Sequence, residues 1–171
     1  MGVATSDGTG SRNRSAFELY GQGQASPSMK LTIQLVLAGR RWRSLLDEKL
    51  RATGQSSARM EALAAIYAEP EPRPQVDIAK RLRIEGPTLT RMLDALEKDR
   101  LVARKPDPDD RRTKLLELTD EGKKVLERIF GEADELRTSL VGQIPAAEID
   151  AMNGSLERLI DKLDNGLPQA E

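Results

Sequence analysis

The side chains able to do chemistry in this chain are almost all arginines, lysines and carboxylates. Its 171 residues include 27 Lys and Arg and 28 Asp and Glu, but no His and no Cys. Without thiols or imidazoles, disulfides, thiolate metal sites, iron–sulfur clusters, thiol redox sensing and His-dependent proton transfer are excluded. No Gly-rich phosphate loop and no nucleophile–base pair is visible, so no catalytic activity, metal or cofactor is expected. What remains is recognition by charge.

The charges are unevenly placed. Residues 72–115 hold twelve Lys and Arg against eight carboxylates, a net of +4, whereas residues 116–171 hold six against thirteen, a net of -7. The formal total of -1 therefore conceals a basic middle. Such asymmetry points to a polyanionic partner, although it also reads as ordinary surface variation. Aromatics make up 3%, too few for a single-strand stacking platform. No apolar run approaches the roughly 20 residues that span a bilayer. The N-terminus shows no charged-then-apolar signal pattern, so a cytoplasmic protein without membrane contact is expected.

The elements that must position these charges follow from periodicity. Residues 1–28 are rich in Gly, Ser, Thr and Asn and read as a disordered tail, with Phe17, Leu19 and Tyr20 as its few docking residues. From Met29 to Gly54, Leu31, Leu35, Ala38, Trp42 and Leu45 form a helical stripe, widened by Ile33, Val36 and Leu37. A helix apolar over so much of its circumference wants burial on more than one side. Ser56 or Ser57 caps a second helix to about Ala68, with Leu63, Ala64 and Tyr67 inward. Pro70, Pro72 and Pro74 break the pattern. Val76–Leu82 is a short helix, Arg83–Gly86 a turn, and Pro87 opens a further helix to about Arg100 with Leu89, Leu93 and Leu96 inward. Leu101–Lys105 and Thr113–Leu118 alternate as strands around the turn-rich Pro106-Asp107-Pro108-Asp109-Asp110. Thr119 caps the next helix (Val125, Ile129, Ala133, Leu136, Leu140 inward), and Pro145 starts the last one.

Helix, tight turn, helix and hairpin make a winged helix-turn-helix. The fold expected is mainly α with a small β-hairpin wing: 55–119 the DNA-binding domain, 29–54 with 120–165 a helical dimerisation region. A B-DNA major groove is about 12 Å wide and admits one helix. The outer face of Pro87–Arg100 presents Thr88, Thr90 and Arg91. Arg91 can fork onto a guanine edge, and the threonines can reach phosphates or a thymine methyl. The same face also reads as a solvated surface carrying one Arg. The hairpin adds Arg104, Lys105, Arg111 and Arg112. A narrow minor groove attracts an inserted Arg, and Asp110 stands two residues before Arg112 to hold it extended. The alternative is a self-neutralising exposed turn.

The string Ile84-Glu85-Gly86-Pro87-Thr88-Leu89-Thr90-Arg91-Met92-Leu93-Asp94-Ala95-Leu96-Glu97 resembles the recognition helix of the MarR family, close to its SlyA branch. Asp110-Arg111-Arg112 through Leu118-Thr119 is similar to that family's wing. Arg40-Arg41-Trp42-Arg43-Ser44-Leu45-Leu46-Asp47 resembles the first helix of the SlyA branch. The departures are Arg83, where the family usually carries Gly, and the N-terminal extension. The resemblance implies a homodimeric regulator on a pseudo-palindromic double-stranded DNA operator, with Pro87, Thr88 and Arg91 at the major groove and Arg112 in the minor groove, oriented by Asp110. It further implies a repressor released by a small aromatic carboxylate or acyl-CoA, held by Arg40 and Arg43 beside Trp42. A helical dimeric adaptor that binds protein rather than DNA, or a DNA-binding regulator without effector, stands as the alternative.

Overall fold

The structure, a computed structural model, describes residues 16–69, 71–110 and 113–166. Its elements run α1 (Ala16–Gly21), α2 (Pro27–Leu50), a 3-10 turn (Arg51–Thr53), α3 (Ser57–Tyr67), β1 (Arg73–Pro74), α4 (Gln75–Leu82), α5 (Gly86–Lys98), β2 (Val102–Pro106), β3 (Lys114–Leu118), α6 (Asp120–Val141) and α7 (Ala146–Asn165). The chain divides into two compact units, residues 1–45 and 46–171. The boundary falls inside α2.

In the first unit, helical structure reaches into the stretch expected to be a disordered tail. Ala16–Gly21 forms a short helix, and α2 begins at Pro27 rather than Met29. Nothing in Ala16–Tyr20 breaks a helical turn. Ser26 then accepts a hydrogen bond from the Met29 amide at 3.2 Å, capping α2, with Pro27 at the position where a missing N–H costs nothing. Leu31, Leu35, Val36, Leu37 and Leu45 are all exposed.

The second unit holds the core. Leu46, Leu50, Leu63, Ile78, Leu89, Leu93, Leu96, Leu116, Leu126 and Ile129 are almost fully enclosed. Leu89, Leu93 and Leu96 are the inward residues their spacing predicts for α5. In α3 the burial falls on Ala62, Leu63, Ala65 and Ile66, while Tyr67, expected inward, is exposed. Ser56 is the cap of α3, accepting from Arg59 N at 3.3 Å. Ser57, the other candidate, is buried and donates its amide to Asp47 Oδ1 at 2.6 Å.

The hairpin forms as expected, with Val102 opposite Leu118 and Arg104 opposite Leu116. It gains a partner that was not expected. Arg73 and Pro74 pair with Leu116 and Leu115, giving a three-stranded antiparallel sheet in the order β1-β3-β2. A two-residue strand offers no alternation to read, and a proline is tolerated on a sheet edge.

Thr119 caps α6 as predicted, and it also ties that helix to β2. Its hydroxyl accepts from Gly122 N at 2.9 Å and donates to Arg100 O at 2.7 Å, while its amide donates to Leu101 O at 3.1 Å. Gly122 is buried against that junction. On the outside, Lys49 Nζ lies 2.7 Å from Glu135 Oε2 and 3.1 Å from Glu132 Oε2. The hydrogen bond to Glu135, then the one to Glu132, holds the Lys49 ammonium above the ordinary lysine range. The hydrogen bond from Lys49 likewise holds the Glu135 carboxyl below the usual carboxylate range. The triad is open to water, so salt screens it and its contribution to stability is small.

Candidate nucleic-acid interface

The helix-turn-helix is built from α4, the turn at Arg83–Glu85 and α5. Arg83 closes α4 in the left-handed region, at φ 52° and ψ 43°, and its amide bonds Lys80 O. An L side chain there costs about 1 kcal/mol more than glycine. Arg83 also pairs with Asp164 of α7. Glu85 is the extended residue before α5, with no side-chain cap, and Pro87 sits in the first turn.

The expected groove-facing residues Pro87, Thr88, Thr90 and Arg91 are all exposed on α5. Two differ in what they have left to offer. The Thr90 hydroxyl donates to Gly86 O at 2.9 Å and accepts from Gln75 Nε2 at 2.7 Å, so its proton is committed within the protein. Among the described residues Arg91 makes no ion pair, and its guanidinium is available.

The wing cations behave differently from α5's. Arg104 was expected among the DNA contacts, but its side chain is only 19% exposed. Its Nη1 lies 2.7 Å from both Asp94 Oδ1 and Glu97 Oε2, and Nη2 donates to Thr90 O at 3.4 Å. Arg104 thus spends its charge tying β2 to α5 and neutralising two carboxylates on the recognition helix. Strand alternation places it on the face of Val102, which is buried, and that is the signal the charge count overlooked. Lys105 is also taken, pairing across the sheet with Glu117 Oε1 at 2.6 Å. At the other end of α5, Arg59 Nη2 holds Asp99 Oδ2 at 2.6 Å. Sequence reading missed Arg59 and Gln75 as supports of α5, because neither distant pairing leaves a local pattern.

At the hairpin tip Asp107 Oδ1 accepts from Asp109 N at 2.8 Å, an Asx turn. Asp110 closes the loop: its carboxylate accepts from Thr113 Oγ1 at 2.9 Å and its carbonyl from Thr113 N at 2.9 Å. Arg111 and Arg112, the expected minor-groove pair, lie outside the described residues.

Of the expected ligand residues, Arg40 and Arg43 are exposed and Trp42 is half-buried, all in the first unit. In the second unit an open cleft of about 580 Å³ lies between the end of α3 and α6, lined by Tyr67, Lys123, Lys124, Phe130 and Asp134 among others. Among the described residues no cluster of potential metal ligands occurs, and no helix is long and apolar enough to cross a membrane.

This geometry has clear relatives. The MarR family model matches residues 56–114, from the cap of α3 to the first residue of β3. The crystal structure of transcriptional regulator PA3341 is 31% identical with a TM-score of 0.71, covering 80% of this chain and 99% of that one. The S. aureus MepR–DNA complex is 28% identical with a TM-score of 0.69, covering 77% and 96%. CouR from Rhodococcus jostii RHA1, solved bound to p-coumaroyl-CoA, shares the fold at 22% identity and a TM-score of 0.69, over 85% and 98%. An apolar-backed recognition helix, a tight turn and a three-stranded wing define a winged helix-turn-helix protein. The chain belongs to the MarR family of transcription regulators.

Proposed function

We propose that this protein is a sequence-specific, double-stranded DNA-binding regulator that acts as a homodimer on a pseudo-palindromic operator. The observation that carries the reading is the contrast on α5 and the wing. Arg104, Lys105 and Arg59 are spent on internal pairs, while Arg91 stands exposed and makes no ion pair among the described residues, on a helix braced at both ends. A cation left free on a rigid helix suits a bidentate contact to a guanine edge. Pro87 and Thr88 lie beside it in the first turn, and Arg112 with Asp110 is assigned to the minor groove. MepR, at 28% identity, was solved with DNA.

The dimer reading rests on apolar surface. No residue of α7 is buried, and Leu140, Val141, Met152, Ile160 and Leu163 are exposed. Soluble chains rarely leave such helix faces uncovered. An isologous dimer would place two recognition helices about 34 Å apart, one turn of B-DNA. The effector assigned is a small aromatic carboxylate or its acyl-CoA thioester. Arg40, Arg43 and Trp42 are its expected anchors, an Arg fork beside an aromatic wall. We read the protein as a non-enzymatic, cytoplasmic repressor.

Light scattering on the full chain, alone and with a duplex taken from upstream of its own coding sequence, tests this. A dimer in free solution and one dimer per retarded duplex are expected. A monomer, or no retardation at low salt, would remove the proposal.

A further inference from the structure

The turn of the helix-turn-helix holds a strained residue. Arg83 occupies a left-handed position that glycine would fill without strain, in a solvent-exposed turn where no packing requires a long side chain. It does not stand alone. An open cleft of about 520 Å³ runs between α4 and the start of β3, and Gln75, Lys80, Arg83, Gly86, Thr113 and Lys114 line it. Three cations line it, Lys80 and the C-cap residue Arg83 from α4 and Lys114 from β3. Lys80 reaches Asp77 only at 3.7 Å, Lys114 makes no ion pair among the described residues, and Arg83 is shared with Asp164. Asp77 and Asp164 are the acids that offset them. Gly86 opens the recognition helix, so the cleft borders the element assigned to the major groove.

We propose that Arg83, with Lys80 and Lys114, forms a seat for a backbone phosphate of duplex DNA beside the recognition helix. The proposal rests on the DNA-binding reading above and adds a contact to it. A phosphodiester carries the single charge and the outward oxygens that three converging donors can share, and such contacts fix the register of a helix without reading sequence. In DNA-free protein Asp164 holds the Arg83 fork, and phosphate takes it over on binding.

The test compares the full-length protein with its Arg83→Gly variant on the upstream duplex and on a random duplex of equal length, across a range of KCl. The variant should keep its melting temperature or gain up to about 4 °C, because the strain is relieved. Its affinity should fall about tenfold on both duplexes alike, since a phosphate carries no sequence. The slope of log K against log salt should become shallower by about one unit per protomer, as one phosphate contact disappears. Asp164→Asn, which frees Arg83, should bind at least as tightly as the natural chain.

An unchanged slope in Arg83→Gly overturns the proposal while leaving the DNA-binding reading intact. A fall in melting temperature alongside lost affinity also overturns it, because Arg83 would then be structural. If inorganic phosphate raises the melting temperature of the natural chain, and Arg83→Gly abolishes that rise without changing the salt slope, the cleft is a free-anion site and the backbone assignment fails. If the natural chain retards neither duplex, the DNA-binding reading itself fails.

Discussion

Replacing Arg91 with alanine should weaken binding to the operator by about 1–3 kcal/mol, a loss of roughly fivefold to more than a hundredfold, and relax preference at one base pair of each half-site. The size follows from what the side chain has to lose. Arg91 is exposed and engages nothing in the described protein, so its truncation leaves no buried group unpaired. The fold should be untouched, and the melting temperature should stay within about 2 °C, as surface substitutions usually do. The loss is specific to sequence. Fluorescence anisotropy on the upstream duplex, on single-base variants of it and on a random duplex measures this directly. An equal loss on the random duplex would show that Arg91 contacts phosphate and reads no base.

Gly122→Ala destabilises the protein by about 3 kcal/mol, near the upper end of overpacking costs. A Cβ at this position would lie 2.0 Å from the Leu101 carbonyl oxygen and 2.9 Å from its carbon. That obstacle is backbone and cannot swing aside. The same carbonyl accepts from Thr119 N at 3.1 Å and from Thr119 Oγ1 at 3.3 Å, which is how β2 is joined to α6. Relieving the clash therefore means prising the wing from the helix behind it. Gly131, on the same helix, is the control, since a Cβ there meets nothing within 4 Å. Gly131→Ala should be neutral or stabilising through helix propensity alone. Thermal melts should place Gly122→Ala about 6–12 °C below the natural chain and Gly131→Ala at or above it. Equal melting temperatures for the two variants would contradict the close approach.

Much of this architecture is legible in the residue pattern. The inward leucines of α5, the turn before Pro87, the hairpin and the Thr119 cap all follow from local rules of periodicity and capping. The misses share a physical origin. Strand β1 is two residues long and exists only because β3 offers it an edge. Tyr67 lies at helical spacing from Leu63 and Ala64, yet α3 turns it outward to the cleft wall. The site divides in the same way. The exposure of Arg91 is legible because it follows from a helix whose other face is apolar. The pairing of Arg104 is not legible, because its partners Asp94 and Glu97 sit on another element. The pairing of Arg59 with Asp99, forty residues apart, has no local signature. The left-handed conformation of Arg83 leaves no mark in the residue type.

If the basic middle of this chain binds the phosphates of duplex DNA, its affinity must depend on salt. The most direct measurement is the affinity of the full chain for its upstream duplex as KCl rises from about 50 to 200 mM. Log K should fall linearly with log salt, with a slope steeper than about -5 from several phosphate contacts on each protomer. A flat dependence, or no binding at the lowest salt, would contradict it.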